Sequence, residues 1–567
     1  MSSFYVDGQI VGPTFQNGFD LSSILVSVGN RQDDKVVKVQ ITEPGVYYLS
    51  SVLVLKCNLI IEGCEGAVIS VKFTSDHDYH DSSTFIHFDY ITKTVQGVTT
   101  YIRPNIVIKN VEFKIDNNHL WHSTNNRFHY LKFYWAQSIH LDNVKMKLEG
   151  QKILINVDMR ECENVIIENC MLENYHNNTD LIYEGGILWF RGMTRNIKIT
   201  NNIIKKSGND EALGFWGHFS DYHSNEDPRD NYYIIPESEE PSDGICYKEN
   251  ILVQNNVFEY DNHYSNSNTN DCFISLHDLS AGQNTKNVFT NISFKGNTFI
   301  IKDLVKRLFF CVNENESTIQ DVSFNENNFF FGDFTASMRC HVFELDNKNY
   351  NVVSNYHIIG NNVYNKSKFI FDNEPGLFFI IQNGGEALVS NNVVRIYEDS
   401  VDEEQIYRKV IFFWVNFMKT KLTVEHNNIE GLYLFGKVSC SSNPGNRMIS
   451  KMDLLAKENI IKGCSSIYCR NVGELNLDIE GNYIESEAYV IALQEYGTSG
   501  KFIYINNHVI IKYTGNSNFY HSSTGCGANQ FVFANNVFEK VHNDIMATIL
   551  GYIDSQHVTN ANNIILN

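Results

Sequence analysis

Four acidic side chains stand where a carbohydrate-cleaving pair would be wanted. Glu184 precedes the segment GGILWFRG, Asp210 and Glu211 precede ALGFWG, and Asp271 precedes CFISLHD. Each acid leads into a short apolar run. If those runs are equivalent strands of a stacked repeat, the acids line up along the stacking axis. Neighbouring parallel strands lie about 4.8 Å apart. Glu184 with Asp210 or Glu211, one repeat apart, then approaches the roughly 5 Å carboxyl separation of a retaining glycosidase. Glu184 with Asp271, two repeats apart, approaches the wider inverting separation of about 6.5–9.5 Å. Elimination from a uronic acid makes other demands: a base for the C5 proton and a cation for the carboxylate. Arg191, His277 and Tyr183 have that chemistry. Asp210, Glu211 and Asp271 are also oxygen ligands of the kind Ca²⁺ takes. No other cofactor is expected: the 12 cysteines form no CxxC pair and so no zinc site. The plainer alternative for each acid is a turn-capping role.

The runs behind these acids alternate with period two. They read ILWFR from Ile187, ALGFW from Ala212, FISLH from Phe273, FFCVN from Phe309, VFELD from Val342, FFIIQ from Phe378 and VIALQ from Val490. Placing the second and fourth residues inside puts the third and fifth outside. One lateral face is then expected to present Arg191, Trp216, His277, Asn313 and Asp346, one per coil, with Trp189 behind Trp216. These six are the expected substrate-binding residues. An outward Trp is a platform for a sugar ring, or a surface covered by an insertion or a neighbouring subunit.

A second pattern fixes how the runs are stacked. A short alternating strand ends in Asn, usually Asn-Asn, and is followed by another apolar pair: IVIKNVEF from Ile106, IKITNNII from Ile197, LTVEHNNI from Leu422, FVFANNVF from Phe531. Taking the second position of the pair as register gives 111, 144, 170, 202, 256, 297, 327, 362, 392, 427, 459, 482, 508, 536 and 563. All but two of the intervals lie between 23 and 35 residues, the length of one coil of a β-solenoid. Asn suits this place twice over. It tolerates the left-handed corner conformation, and stacked amides can bond from coil to coil. The expected fold is all-β: a single-stranded right-handed parallel β-helix of about 15 coils with an asparagine ladder. The two long intervals carry insertions near 218–249 and 261–271. Loops of that length in a compact repeat are usually functional, which centres the expected site on residues 180–280.

Composition narrows the partners. The formal charge is −21, which disfavours nucleic acid and anionic membranes. No stretch is long and apolar enough for a membrane span, and Met1–Asp20 lacks the basic and apolar regions of a secretion leader. The cysteines sit in apolar runs and read as small buried hydrophobes.

The segment TEPGVYYLSSVLVLKCNLIIEGCEGAVI from Thr42 resembles the opening of pectate-lyase-like β-helices, including phage tailspikes and polysaccharide depolymerases, where PGxYxL precedes an apolar strand and a Gly-rich corner. GNDEALGFWG is similar to the acidic strand opening of polygalacturonase-like helices. The resemblance covers roughly residues 35–567, with residues 1–35 as an N-terminal attachment segment and 36–567 as the helix. It implies a receptor-binding protein of the virion tail that binds, and depolymerises by hydrolysis or elimination, a host surface polysaccharide. Its implied partners are two further copies in a homotrimer and other tail proteins. Trimerisation would cover an apolar flank around VIFFWVNFM, with Phe413 and Val415 outward. Two other readings stand beside it: a non-catalytic structural or adhesive β-helix of a virion or cell surface, and an exported bacterial pectate-lyase-like enzyme.

Overall fold

A computed structural model describes residues 5–6, 9–10, 19–29, 35–72, 83–115, 127–150, 153–176, 185–208, 211–216, 245–261, 272–277, 286–302, 305–313, 317–332, 335–336, 341–347, 354–365, 370–371, 377–382, 384–396, 411–416, 419–439, 451–470, 473–486, 491–494, 499–511, 520–522, 530–539 and 558–566. The chain divides into two units, Met1–Phe299 and Ile300–Asn567.

In the first unit each coil contributes three strands, and each strand pairs in parallel with its equivalent in the next coil. One ladder runs through Asn58–Glu62, Asn105–Lys109, Ser138–Asp142, Glu163–Glu168, Thr194–Thr200, Ile245–Gln254 and Lys286–Lys295. A second runs through Ala67–Val71, Glu112–Ile115, Lys145–Gly150, Met171–His176, Ile203–Lys206 and Val257–Tyr260. A third runs through Ser83–Phe88, Arg127–Tyr134, Ile153–Arg160, Leu188–Arg191, Leu213–Trp216 and Cys272–His277. This is the right-handed parallel β-helix the repeat predicts, parallel crossovers being right-handed, with three strands per coil where the alternation revealed two. The second unit repeats the plan, for example through Asn355–Ile359, Gly385–Ser390, Lys419–Glu425, Lys451–Lys457, Glu474–Glu480 and Ser499–Ile505.

The Asn-Asn pair divides its labour. The first position is the left-handed corner: Asn201, Asn255, Asn391, Asn506 and Asn535 have φ between 55° and 59°. The second is buried, and its amide bonds to the next coil. Asn202 donates from its backbone N and its Nδ2 to Asn256 Oδ1, both at 2.9 Å, and Asn256 likewise to Asn297 at 3.0 Å. In the second unit the ladder runs from Asn327 through Asn361, Asn392, Asn427, Asn459, Asn482, Asn507 and Asn536 to Asn563. Two register positions move by one. Asn361 and Asn507 hold the ladder, and Asn362 and His508 do not, because Gly360 and Asn506 take the left-handed corner. The earliest coils carry Val111, Val144 and Cys170 in this slot, all buried. A second, exposed ladder links four more left-handed residues, Asn164, Asn196, Asn250 and Asn291, through Nδ2–Oδ1 bonds of 2.8–3.1 Å.

Residues 1–35 contain a helix, Ser22–Gly29, that the sequence reading does not anticipate. Asp20 Oδ1 accepts from Ser22 N at 2.8 Å at its start, and Ile24, Leu25 and Val28 are buried. Gly29 ends against the first coil, where its carbonyl accepts from Lys56 N at 2.7 Å. The first parallel strand begins at Val36. The insertions fall largely on 217–244 and 262–271, outside the described residues. Among the described residues no helix is long and apolar enough to cross a membrane, and eight cysteines are free, seven of them buried.

The flank expected around residue 413 turns the other way. Phe413 and Val415 are buried. Phe413 stacks on Phe379 at 5.8 Å and lies in register with Phe343 and Phe379 in the core. Trp414 is the outward residue, with Lys437 Nζ 4.0 Å from its ring centroid.

Candidate functional site

The third ladder of the first unit positions the site. Its inward residues pair as Leu131–Val157–Leu188–Leu213–Ile274 and Phe133–Met159–Phe190–Phe215–Leu276, all without exposure. Phe190 stacks on Phe215 at 4.9 Å. Alternation then turns two rows outward. The first is His87, Lys132, Asp158, Trp189, Gly214 and Ser275. The second is Tyr134, Arg160, Arg191, Trp216 and His277. The register expected for Arg191, Trp216 and His277 is therefore present.

The rows converge on Asp158, which is fully buried. Arg191 Nε lies 3.4 Å from Asp158 Oδ1, while Arg160 Nε at 3.3 Å and His129 Nδ1 at 3.1 Å approach Oδ2. Burial opposes ionisation of Asp158, but Arg191, Arg160 and His129 outweigh it and hold its carboxyl well below the usual carboxylate range. Burial pushes His129 down to about 3, against the pull of Asp158. His87 is also pushed well below its ordinary value by burial, with Lys132 and Arg160 adding to the effect. Both imidazoles are thus neutral at neutral pH, and the charges of the cluster are Lys132, Arg160, Arg191 and the ionised Asp158. Arg191 also lies over both indoles, 4.4 Å from the Trp189 centroid and 4.8 Å from that of Trp216. Such cation–π contacts contribute about 0.5–2 kcal/mol each. The indoles are 4.7 Å apart.

The Trp platform differs from the expectation in its exposure. Trp189 is fully buried and Trp216 is 8% exposed, so neither indole offers an open face. Trp216 Nε1 donates to Ser275 Oγ at 3.2 Å, which donates to Glu211 Oε1 at 3.0 Å. Glu211 is thereby tied to the indole row. Glu184, Asp210 and Asp271, with Tyr183, lie outside the described residues. Of the expected Ca²⁺ ligands only Glu211 is placed, and it is already hydrogen-bonded.

Asn313 and Asp346 belong to the second unit. They do not share a row: Asp346 pairs with Val312, and Asn313 with Asn347. The run from Phe309 is shifted by one from the expected alternation, with Phe309 and Cys311 facing inward, both unexposed, and Phe310 opposite Glu344. Asp346 is half-buried.

The sequence reading misses His87, His129, Lys132, Asp158 and Arg160. The signal was available. Leu131-Lys132-Phe133-Tyr134 and Val157-Asp158-Met159-Arg160 have the same apolar alternation as Leu188-Trp189-Phe190-Arg191, one and two coils earlier. Among the described residues, His140, Asp142 and Glu168 place ligand atoms within 4.8 Å of one another. His140 Nε2 already bonds to Glu168 Oε1 at 2.9 Å, and Asn169 Nδ2 donates to Asp142 Oδ1 at 3.0 Å.

No protein-family model and no curated protein matches this chain. Among solved structures it is similar to a mannuronic acid specific polysaccharide family 6 lyase from human gut microbiota, at 10% identity and a TM-score of 0.28, over 97% of this chain and 91% of that one. The chemistry of the site therefore has to come from the side chains of this chain.

Proposed function

We propose that the chain binds a carboxylated polysaccharide on the lateral face of its first unit and cleaves it by β-elimination. The observation that carries this reading is the outward row Arg160–Arg191–Trp216–His277, in register on four consecutive strands. Arg160 and Arg191 retain partial side-chain exposure, 20% and 11%. They are the groups that pair with a substrate carboxylate, and Arg presents a planar donor fork suited to it. Neutralising that carboxylate acidifies the C5 proton. The half-buried His277 at the end of the row takes the proton. The C5–H electron pair forms the C4=C5 double bond, the C4–O bond breaks, and the departing oxygen takes a proton from water, while the proton held by His277 returns to solvent. Asp158 and His129 lie beneath and act as positioning residues. Asp158 is a poor general acid for hydrolysis at neutral pH, because its neighbours hold it ionised.

In its finer form the proposal is a tailspike-type receptor-binding depolymerase of a virion tail, acting on a host surface polysaccharide as a homotrimer. The opening segment from Thr42 and the coil-to-coil asparagines support that type. The decisive experiment incubates the protein with polygalacturonate, alginate and uronate-containing capsular polysaccharides. It follows new reducing ends together with the ultraviolet absorbance of the unsaturated product. Both signals rising together support elimination. Reducing ends without absorbance mean hydrolysis and remove His277 as the base. Neither signal with any glycan leaves an adhesive β-helix.

A further inference from the structure

The second unit carries its own His–carboxylate–Arg set. His341 and Glu344 lie three positions apart on one strand, His341–Asn347, and both are buried. His341 Nδ1 lies 2.8 Å from Glu344 Oε2, and Arg307 Nε donates to the same oxygen at 2.7 Å. Arg307 also lies over the Phe310 ring, 4.2 Å from its centroid. Burial opposes ionisation of Glu344, yet its His341 and Arg307 partners hold its carboxyl below the usual range. The result is a fixed, charged acceptor on a strand.

Buried Glu344 stands in register with Phe310 one coil before it and with Trp414, Lys437 and Tyr468 two, three and four coils after it. Phe310, Trp414, Lys437 and Tyr468 are half-buried, so each keeps surface for a ligand. Beneath the row, Phe309, Phe343, Phe379 and Phe413 stack at 5.2–5.8 Å where they meet, which makes the strands a rigid base. Aromatic faces match the apolar faces of pyranose rings, and an ammonium pairs with a sugar carboxylate.

We propose that this row is a second saccharide-binding face. Trp414 and Tyr468 stack sugar rings and Lys437 selects a carboxylated sugar, while buried Glu344, held by His341 and Arg307, fixes the strand beside them. The proposal rests on the reading of the chain as a protein that acts on polysaccharide, and extends it to a site in the other unit. The test is calorimetric titration of the full chain with oligogalacturonate, oligoalginate and, as the neutral comparison, cello-oligosaccharide. Two binding events per chain are expected for at least one uronate oligosaccharide. Trp414→Ala should abolish one event and Arg191→Ala the other. Lys437→Gln, a half-buried surface change, should weaken the second event up to about fivefold for the uronate ligand, the effect of losing one partly exposed ion pair, and leave the fold intact. A single event, lost with Arg191→Ala and unmoved by Trp414→Ala or Lys437→Gln, overturns this proposal and keeps the first site. Absence of any binding overturns both.

Discussion

Replacing one asparagine in the middle of the buried ladder should cost far more than replacing one at its end. Asn427 Nδ2 donates to Asn459 Oδ1 and Val389 O at 2.9 Å, and to Glu425 O at 3.0 Å. Its Oδ1 accepts from Asn392 N at 3.0 Å and Asn392 Nδ2 at 2.9 Å. In Asn427→Ala the donated bonds vanish and the buried Asn392 N–H loses the acceptor it points at. Net loss of two to three neutral hydrogen bonds is about 2–3 kcal/mol, and an orphaned buried donor adds about 1–3 kcal/mol. The expected destabilisation is therefore roughly 3–6 kcal/mol. Asn427→Val should be no better, although Val111 and Val144 fill this slot elsewhere. An apolar residue is tolerated where its neighbours in the stack are apolar, and strands their amides where they are not. Asn563, at the last described coil, is half-buried, so water can replace what it loses, and Asn563→Ala should cost under about 1 kcal/mol. Denaturant unfolding gives the energies, and hydrogen exchange at the Asn392 amide localises the effect. Repeat proteins can lose cooperativity, so exchange is the sharper readout. Equal, small costs at Asn427 and Asn563, or unchanged protection at Asn392, would refute the ladder as a source of stability.

Three further outcomes follow from the site. His129 titrates near 3 in the fold, below its ordinary value of 6.5. The unfolded chain therefore binds more protons between these limits. The His129 contribution to stability is complete above about pH 6.5 and is lost on acidification at up to about 1.4 kcal/mol per pH unit, and His129→Gln should reduce the pH dependence of the denaturation midpoint between pH 7 and 5, with His87 supplying a remainder of the same sign. Arg191→Lys keeps the charge but loses the planar contact with Trp189 and Trp216. A loss of about 1–2 kcal/mol should appear as a roughly tenfold or greater fall in kcat/KM on a uronate polymer, and an unchanged value would remove Arg191 from the site. Gly214→Ala would place a Cβ 2.8 Å from Trp216 Nε1 and 3.4 Å from Trp189 Cδ1. The indoles must shift, and the near-ultraviolet circular dichroism should change while the far-ultraviolet spectrum does not.

The parts of the fold that were legible were those repeated many times. The alternation around Leu213 and Ile274 gave the correct inner and outer faces, because those strands hold only one pair of large apolar residues at the right spacing, and the run from Ile187 follows their register. It failed at FFCVN, where four consecutive apolar residues permit two registers. Only pairing with Phe343 and Glu344 selects the one that buries Phe309 and Cys311. The same ambiguity reversed Phe413 and Trp414. At Gly360-Asn361-Asn362, glycine rather than the first asparagine takes the left-handed corner, which moves the ladder by one residue.

The site divides along a similar line. Arg191, Trp216 and His277 were readable as one row because their strands share a visible motif. For Asp158 the alternation of its own strand was readable, but the cluster it gathers was not: His129 and Arg191 lie 29 and 33 positions away in the chain.

By itself the sequence determined the repeat, the chain-long β class and which residues alternate between core and surface, since hydrophobic period and turn chemistry act over a few residues. Only the tertiary structure decided which coils stand side by side, how deeply Trp189 and Trp216 are buried, and which charges meet. Those depend on stacking distance between coils, and the spacing that brings Asp158 under Arg191 exists only after the chain has wound.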